Sequence, residues 1–271
     1  PTAGENVKGT VFKMGPGGKG FNQGVAAHKA GADVTMVTKL GRDTFADIAL
    51  NTMKELGMKQ DRILYSDDTE TGCALIMVDE NTSQNEIVVI LGSCNTISDA
   101  EVDSLEDLLD GCEYMLTQLE TNVSSVERIV DIACKKGVKV ILNTAPVQPI
   151  SDELLSKVDL ITPNEVEAEI LTGVKVDSEE AADKAAEWFF HKGVKRVLIT
   201  LGGRGVYINT RDKKGIIPAY KVNAIDTTGA GDAFNGGLLA ALAEDKDIWD
   251  AADFANALAA LSVQKIGTTP S

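Results

Sequence analysis

The sequence predicts an α/β protein, with a mostly parallel central sheet covered by helices on both faces and a small antiparallel sheet beside it. Three observations carry this expectation. From about Gly111 onward, short β-rich runs alternate with helical patterns, and that repetition builds a parallel sheet with helices on both sides. Two glycine-rich segments, 15–23 and 226–234, each run directly into a helical pattern. Two apolar runs, 71–79 and 85–91, are joined by the polar turn 80–84, as strands of a hairpin would be.

Taken in order, residues 10–14 are expected to form a short strand belonging with 71–79 and 85–91. A helix follows the first glycine cluster, and 33–40 is a strand leading to a helix over 43–56 that stops at Gly57. Beyond the hairpin, strands are expected at 114–117, 138–143, 160–162 and 196–201. Between them fall helices at 124–136, 151–158, 165–171 and 178–191, several opened by Ser, Asn or Asp and closed by Gly. The alanine-rich stretch 235–243 completes the set as a helix. All of 1–271 is expected to be one domain. A sheet as small as 10–14 with 71–91 cannot bury both faces alone, so it should cover a cleft as a lid, pair with a second subunit, or do both.

Composition narrows the function. The chain has 271 residues, 44% of them hydrophobic, enough for one large domain with an appendage. A net charge of −15 argues against a nucleic-acid surface or an anionic membrane, both of which need clustered Lys and Arg. A nucleotide is still allowed, because backbone N–H groups and a cation can hold phosphates. Cys73, Cys94, Cys112 and Cys134 are widely spaced and suggest neither zinc nor a disulfide framework. With His28 and His191 alone, histidine-based metal or triad chemistry has little material. Residues 1–8 are polar with no leader pattern, so a cytoplasmic location is expected.

The segment 226–234 reads D-T-T-G-A-G-D-A-F. A Gly-Ala-Gly turn opening a helix leaves N–H groups unpaired and points the positive end of the helix dipole at one spot, which favours a phosphate. Asp232 lies at that spot, where a carboxylate repels a simple phosphate ligand but suits a hydroxyl that loses its proton while attacking phosphorus. The first cluster, G-P-G-G-K-G-F-N-Q, contains G-x-G-x-x-G, yet the strand after it ends in Thr38-Lys39-Leu40 with no acidic residue for a dinucleotide ribose. It also fails as a Walker A loop, since Gly20 follows Lys19. What remains is a tight turn offering Lys19 and Asn22 to hydroxyls, or glycines that serve only the connection. Two further segments follow strands, where open α/β sheets bind ligands: T-L-G-G-R-G at 200–205 and T-P-N-E-V-E at 162–167. Asn164 and Glu167 fit a helix N-cap and its capping-box partner as well as a nucleotide and hydrated Mg²⁺.

Together, G-G-K-G-F-N-Q and D-T-T-G-A-G-D-A-F, with T-P-N-E-x-E and T-L-G-G-x-G between them, resemble the signatures of the ribokinase-like (PfkB) carbohydrate kinase family over essentially the whole chain, its ribokinase branch most closely. The resemblance implies a three-layer α/β/α fold with a small β-sheet lid. It implies Asp232 as base, Gly229, Ala230 and Gly231 as anion hole, and Gly18, Lys19, Asn22 and Glu120 at the sugar. ATP would lie at Asn164, Thr200, Gly202, Gly203, Gly205, Gly231 and Asn256, with Glu167 linked to Mg²⁺. A monovalent activator, K⁺, would be held by Asp226, Thr228, Ser262, Lys265, Gly267 and Ser271.

Two departures from the family pattern matter. Members begin with a strand whose Asp binds the sugar, whereas Pro1-Thr2-Ala3-Gly4-Glu5 looks like the segment after it, and Ser271 falls before the usual end; a truncated chain is therefore expected. Phe21 stands where Ala is common and is expected to reshape the turn behind the sugar. The expected reaction is ATP-dependent phosphorylation of a pentose primary hydroxyl, that of D-ribose at O5, with Asp232 kept ionised by the helix N-terminus. The alternatives are deoxyribose, fructose or a nucleoside as acceptor, or a non-catalytic sensor on the same fold. A homodimer through the small sheet is expected.

Overall fold

The computed structural model describes residues 5–78, 85–265 and 267. Its centre is a six-stranded sheet in the order β10-β9-β8-β7-β6-β5. Strands β5 (Tyr114–Thr117), β6 (Lys139–Leu142), β7 (Leu160–Ile161) and β8 (Arg196–Thr200) run parallel. Strands β9 (Val206–Asn209) and β10 (Lys214–Ile217) add an antiparallel edge. Alternation along the strands separates two cores, which is the physical content of a three-layer fold. Val140, Leu142, Val197, Ile199 and Tyr207 pack on one face with helices α4 (Val123–Lys135) and α7 (Glu179–His191). Ile141, Leu198, Val206 and Ile208 pack on the other with α8 (Ala230–Ala243) and α9 (Ile248–Ser262).

A third core, with Phe21, Val25, Met36, Leu40, Met53 and Ile63, joins helices α1 (Lys19–Lys29) and α2 (Thr44–Glu55) to a two-stranded parallel sheet of β1 (Thr38–Leu40) and β2 (Ile63–Tyr65). The expected strand 33–40 is thus shortened to three residues, the length its partner can pair. Helix α8 is the hub. A Cβ at Gly236 would lie 2.5 Å from the Gln23 carbonyl oxygen and 2.6 Å from Ala26 Cβ, so α1 and α8 approach backbone to backbone. A Cβ at Gly237 would meet Leu258 of α9.

The hairpin of β3 (Thr71–Val78) and β4 (Asn85–Gly92) forms as expected and is antiparallel; its turn and Asp79 lie outside the described residues. Both of its roots are tied to the connection between β1 and α2. Thr71 Oγ1 accepts from the Gly41 N–H at 2.8 Å, the Thr71 N–H donates to Asp43 at 2.7 Å, and Ser93 Oγ donates to the Lys39 carbonyl at 2.8 Å. Residues 10–14 are irregular where a strand was expected. Val11, Phe12 and Met14 are exposed, so among the described residues no neighbouring sheet covers the apolar pattern that suggested one. Strands β2, β9 and β10 and helices α3 (Asp99–Asp103) and α9 were not anticipated, and the expected helix 151–158 is α5 (Asp152–Ser156); α9 follows an Asp247 N-cap whose carboxylate accepts from the N–H groups of Trp249 and Asp250.

Candidate active site

Gly229, in the left-handed region at φ 80°, turns the chain into α8 and places Asp232 in the first turn, 8% exposed. Among the described residues, no backbone carbonyl takes the N–H groups of Gly229, Gly231 or Asp232. The Ala230 N–H differs from the expected anion hole: it donates to the Thr227 carbonyl at 3.2 Å, because the turn folds back on itself there.

Helix α1 brings the other half. The Lys19 N–H donates to Glu120 Oε2 at 2.7 Å, and a Cβ at Gly20 would come within 3.0 Å of the Gln118 amide, so the helix start sits on the loop after β5. The close α1–α8 approach then joins residues from opposite ends of the chain. Asn22 Nδ2 donates to Asp232 Oδ2 at 2.9 Å, and Gln23 Nε2 donates to Asp232 Oδ1 at 3.1 Å. Asn22 Oδ1 and Gln23 Oε1 are buried acceptors without hydrogen-bond partners among the described residues. A cavity of about 50 Å³ beside them is lined by Asn22, Gly229, Asp232 and Ser262, among others.

Burial pushes the Asp232 carboxyl above the ordinary aspartate range, while the Asn22 amide, the Lys19 charge and the Gln23 amide pull it back. The direction is opposite to that expected from the helix N-terminus alone, because the α1–α8 contact removes the carboxylate from water. Burial likewise raises Glu167, with Lys19 opposing and Asp232 reinforcing, so these three charges share one electrostatic neighbourhood.

Asn164 and Glu167 form the full capping box of helix α6 (Glu165–Thr172): Glu167 donates its N–H to Asn164 Oδ1 at 2.8 Å, and the Asn164 N–H donates back to Glu167 Oε2 at 2.9 Å. Asn164 also bridges Thr200, whose N–H donates to the Pro163 carbonyl at 2.9 Å. Gly202 and Gly203 follow in a 3-10 turn, and Gly205 closes it at φ 104°, where a Cβ would sit 2.0 Å from the Ile217 carbonyl oxygen. Asn256 Nδ2 donates to that same oxygen at 3.3 Å. Arg204 fixes the turn from outside, donating to the Asp177 and Val176 carbonyls at 3.1 and 3.0 Å and pairing with Glu165. The segments 162–167 and 200–205 and Asn256 therefore converge.

Asp226 gathers a separate group. Its carboxylate accepts from the Thr228 N–H at 2.9 Å and the Gly267 N–H at 3.0 Å, and its own N–H donates to the Val263 carbonyl at 3.1 Å. Ser262 and the Lys265 N–H, which donates to the Ser262 carbonyl at 3.2 Å, lie on the same turn. Ser271 is outside the described residues. Phe21 is 7% exposed in the third core, so it is a packing residue of α1.

Four further polar residues stand behind Asp232 that the motifs alone did not single out. Gln23 Nε2 also donates to Asn143 Oδ1 at 3.0 Å, and Asn143 Nδ2 donates to the Thr162 carbonyl at 2.9 Å. Thr162 Oγ1 donates to Asn235 Oδ1 at 2.6 Å, and Asn235 Nδ2 donates to the Gly231 carbonyl at 2.8 Å. The available signal was a polar residue ending an apolar strand, as Asn143 and Thr162 do.

Known proteins similar to this chain are carbohydrate kinases. The model of the pfkB family carbohydrate kinases matches residues 2–271. The chain is 44% identical to a ribokinase of Haemophilus influenzae over 99% of its own length and 87% of that relative. It is 36% identical to a deoxyribokinase of Salmonella typhi, covering 100% of this chain and 89% of that one. It superposes on the structure of Arabidopsis thaliana ribokinase complexed with ribose and ATP with a TM-score of 0.92 and 28% identity, covering 100% and 88% of the two chains.

Proposed function

Because the chain belongs to the pfkB family of carbohydrate kinases, a phosphotransferase family with alcohol acceptors, we propose that it transfers the γ-phosphoryl group of ATP to the primary hydroxyl of a pentose, D-ribose at O5, with Asp232 as base. The observation that carries this reading is the Asp232 carboxylate, held by Asn22 and Gln23 in the first turn of a helix whose Gly229 and Gly231 N–H groups have no carbonyl partner among the described residues. A buried carboxylate beside an anion hole suits a hydroxyl that must be oriented and then relieved of its proton. In a loose phosphoryl-transfer transition state the hydroxyl turns acidic late, so a weak base suffices. Unpartnered Asn22 Oδ1 is placed to accept from a sugar hydroxyl, and Gly18, Lys19 and Glu120 complete that side.

The converging segments suit ATP: Asn164, Thr200, Gly202, Gly203, Gly205 and Asn256 would take the nucleotide and Gly231 its terminal phosphate. Ala230 joins the anion hole once its N–H leaves Thr227. Glu167 would offer Mg²⁺ one hard oxygen, as befits an ion that keeps most of its waters, and the ion would supply charge neutralisation to the phosphates. The Asp226 group, with Thr228, Ser262, Lys265 and Gly267, offers oxygens to K⁺ one turn away from the anion hole, which such an ion would order.

A coupled ADP-release assay across ribose, deoxyribose, fructose and adenosine, with and without K⁺, tests the proposal. The expected result is the highest kcat/KM with ribose and a faster rate with K⁺. The deoxyribokinase relative makes deoxyribose the acceptor to beat. No sugar-dependent ADP from any of the four supports a non-catalytic sensor instead.

Both faces of the β3–β4 hairpin carry exposed apolar side chains. Leu75, Met77, Val88 and Ile90 lie on one, and Ile76, Val78 and Val89 on the other, each 46–60% exposed. A two-stranded sheet cannot bury both alone, so one face covers the sugar and the other joins a second subunit in a homodimer. Ile76→Lys is expected to turn dimer into monomer in sedimentation-velocity runs; a monomeric parent chain excludes the interface. Among the described residues no helix is long and apolar enough to cross a membrane, and the proposed setting is the cytoplasm, with sugar and ATP as small-molecule partners and neither nucleic acid nor membrane.

A further inference from the structure

The four polar residues behind Asp232 form a closed circuit, because Gly231 and Asp232 are neighbours in the chain. Following donors to acceptors, it runs from Thr162 Oγ1 to Asn235 and from Asn235 to the Gly231 carbonyl. In the other arm it runs from Gln23 both to Asp232 Oδ1 and to Asn143, and from Asn143 to the Thr162 carbonyl. Gln23, Asn143, Thr162 and Asn235 are 1–6% exposed. A chain of polar groups this deep is costly unless its members satisfy one another, and when they do it admits one arrangement.

The direction of the circuit is dictated by groups that cannot turn over. Backbone carbonyls accept only, so the Thr162 and Gly231 oxygens demand the NH₂ groups of Asn143 and Asn235. Each amide must then turn its oxygen the other way: Asn143 Oδ1 toward Gln23, and Asn235 Oδ1 toward the Thr162 hydroxyl. Gln23 meets an amide oxygen on one side and the Asp232 carboxylate on the other, so it must present NH₂ to both. Its own Oε1 is left buried with no partner among the described residues. A network serving stability alone would not leave that acceptor orphaned, because a buried polar atom without a partner is destabilising.

Resting on the kinase reading of Asp232, we propose that Gln23, Asn143, Thr162 and Asn235 are positioning residues, a hydrogen-bonded ring that holds the catalytic carboxylate in fixed register with the anion hole. One arm sets which carboxylate oxygen is occupied by Gln23, leaving the face toward Asn22 for the substrate hydroxyl. The other arm braces the Gly231 carbonyl and hence the first turn of α8.

The test uses an observable that does not depend on turnover. With carboxyl-labelled aspartate, the Asp232 ¹³C resonance, assigned with Asp232→Asn, is titrated in the parent chain, in Gln23→Met and in Asn143→Leu. A donor to the ionised form lowers a carboxyl pKa, so losing Gln23 should move the Asp232 titration to higher pH. Asn143→Leu, which does not touch Asp232, should move it the same way, because Gln23 is then free to swing its oxygen forward. The other charges in that neighbourhood, Lys19 and Glu167, are unchanged in all three proteins, as is Lys29 at the adjoining cavity. In sugar-dependent ADP release, each variant should lose about tenfold in kcat with the KM for ATP within about twofold, a fraction of the roughly 10²–10⁴-fold that a positioned base contributes, because the base itself is retained. The double variant should be no worse than Gln23→Met alone. An unmoved Asp232 titration in Asn143→Leu, or multiplicative losses in the double variant, overturns the ring. Absence of ADP release from the parent chain instead overturns the kinase reading, and the titrations still decide the ring. Should Gln23→Met fail to fold, Asn143→Leu and Asn235→Leu, compared by the same titration and by the exchange rate of the Gly231 amide, decide it.

Discussion

Asp232→Asn is expected to lower kcat by roughly two or more orders of magnitude, the range a positioned general base contributes, while the affinity for ATP stays within about twofold. The two effects separate because the segments proposed for the nucleotide, Thr200 to Gly205 with Asn164 and Asn256, are held by the Ile217 carbonyl, the Pro163 carbonyl and Arg204, which among the described residues make no hydrogen bond to Asp232. Asparagine fits the site: Asn22 can turn its amide so that the orphaned Oδ1 accepts from the new NH₂, and Gln23 keeps an oxygen to donate to. What is lost is the ability to take a proton. In the parent chain kcat/KM should fall as pH drops through the Asp232 pKa, which burial places above the ordinary aspartate range, and the variant should lack that limb. Stability should move the other way. A carboxyl whose folded pKa lies above its unfolded one favours folding only when protonated, and that contribution is lost as pH rises through the folded value. Asp232→Asn should therefore raise Tm at neutral pH and give little gain at pH values well below the unfolded pKa, measurable by thermal scans across pH. Near-normal turnover, or a Tm gain independent of pH, contradicts this account of the residue.

How far the site could be foreseen follows from where its information lies along the chain. Asp232, the Gly-Ala-Gly turn, and the pair Asn164 and Glu167 sit in short contiguous motifs whose local chemistry is legible one helix start at a time. Strands β6 to β8 were equally legible, because a buried strand is an unbroken apolar run with a turn after it, and half-buried β5 carries the same kind of run. Strand 10–14 failed for the complementary reason: an exposed apolar run looks the same in one dimension as a paired one, and only a neighbouring strand decides. Strands β9 and β10 escaped notice although Val206 to Ile208 are buried, since the Thr210 to Lys213 turn that pairs them carries its left-handed residue at Arg211, φ 70°, and no Asn-Gly signal. The ring behind Asp232 joins residues from four separate elements and no single segment announces it. The upward shift of Asp232 was missed on the same ground, for the helix N-terminus is local and the burial comes from α1, more than 200 residues away.

Gly236→Val should disable the enzyme without touching any reacting group. The added Cβ would fall 2.5 Å from the Gln23 carbonyl oxygen, 2.6 Å from Ala26 Cβ and 2.8 Å from the Ala27 nitrogen, and two of these are backbone atoms that cannot swing aside. Helix α1 must then move off α8 as a unit. Asn22 and Gln23 ride on α1, so their bonds of 2.9 and 3.1 Å to Asp232 stretch past hydrogen-bonding range with a shift of roughly 1 Å. Asp232 would lose both donors while the Gly229 turn, which belongs to α8, stays in place. The expected kinetic signature is a joint effect: KM for the sugar rises about tenfold or more, since Asn22 leaves the proposed hydroxyl site, and kcat falls by about 10²-fold, the scale of a misplaced reacting group. ATP affinity should change little, because Gly205 and Asn256 are held at the Ile217 carbonyl of β10 rather than by the α1–α8 contact. Overpacking should cost about 1–3 kcal/mol, which for a chain of this size is a drop of several degrees in Tm at about 2–4 °C per kcal/mol. The neighbouring glycine supplies the comparison. At Gly237 the nearest atom to an added Cβ is Leu258 Cδ2 at 2.9 Å, the tip of a flexible side chain that can rotate away, and the contact is with α9, which carries neither Asn22 nor Gln23. Gly237→Ala should therefore keep sugar KM within about twofold, and the roughly 0.5–1 kcal/mol that alanine adds over glycine inside a helix should offset much of the repacking. Equal damage from the two substitutions would mean that the tight α1–α8 approach is not what holds the sugar side of the site against its base.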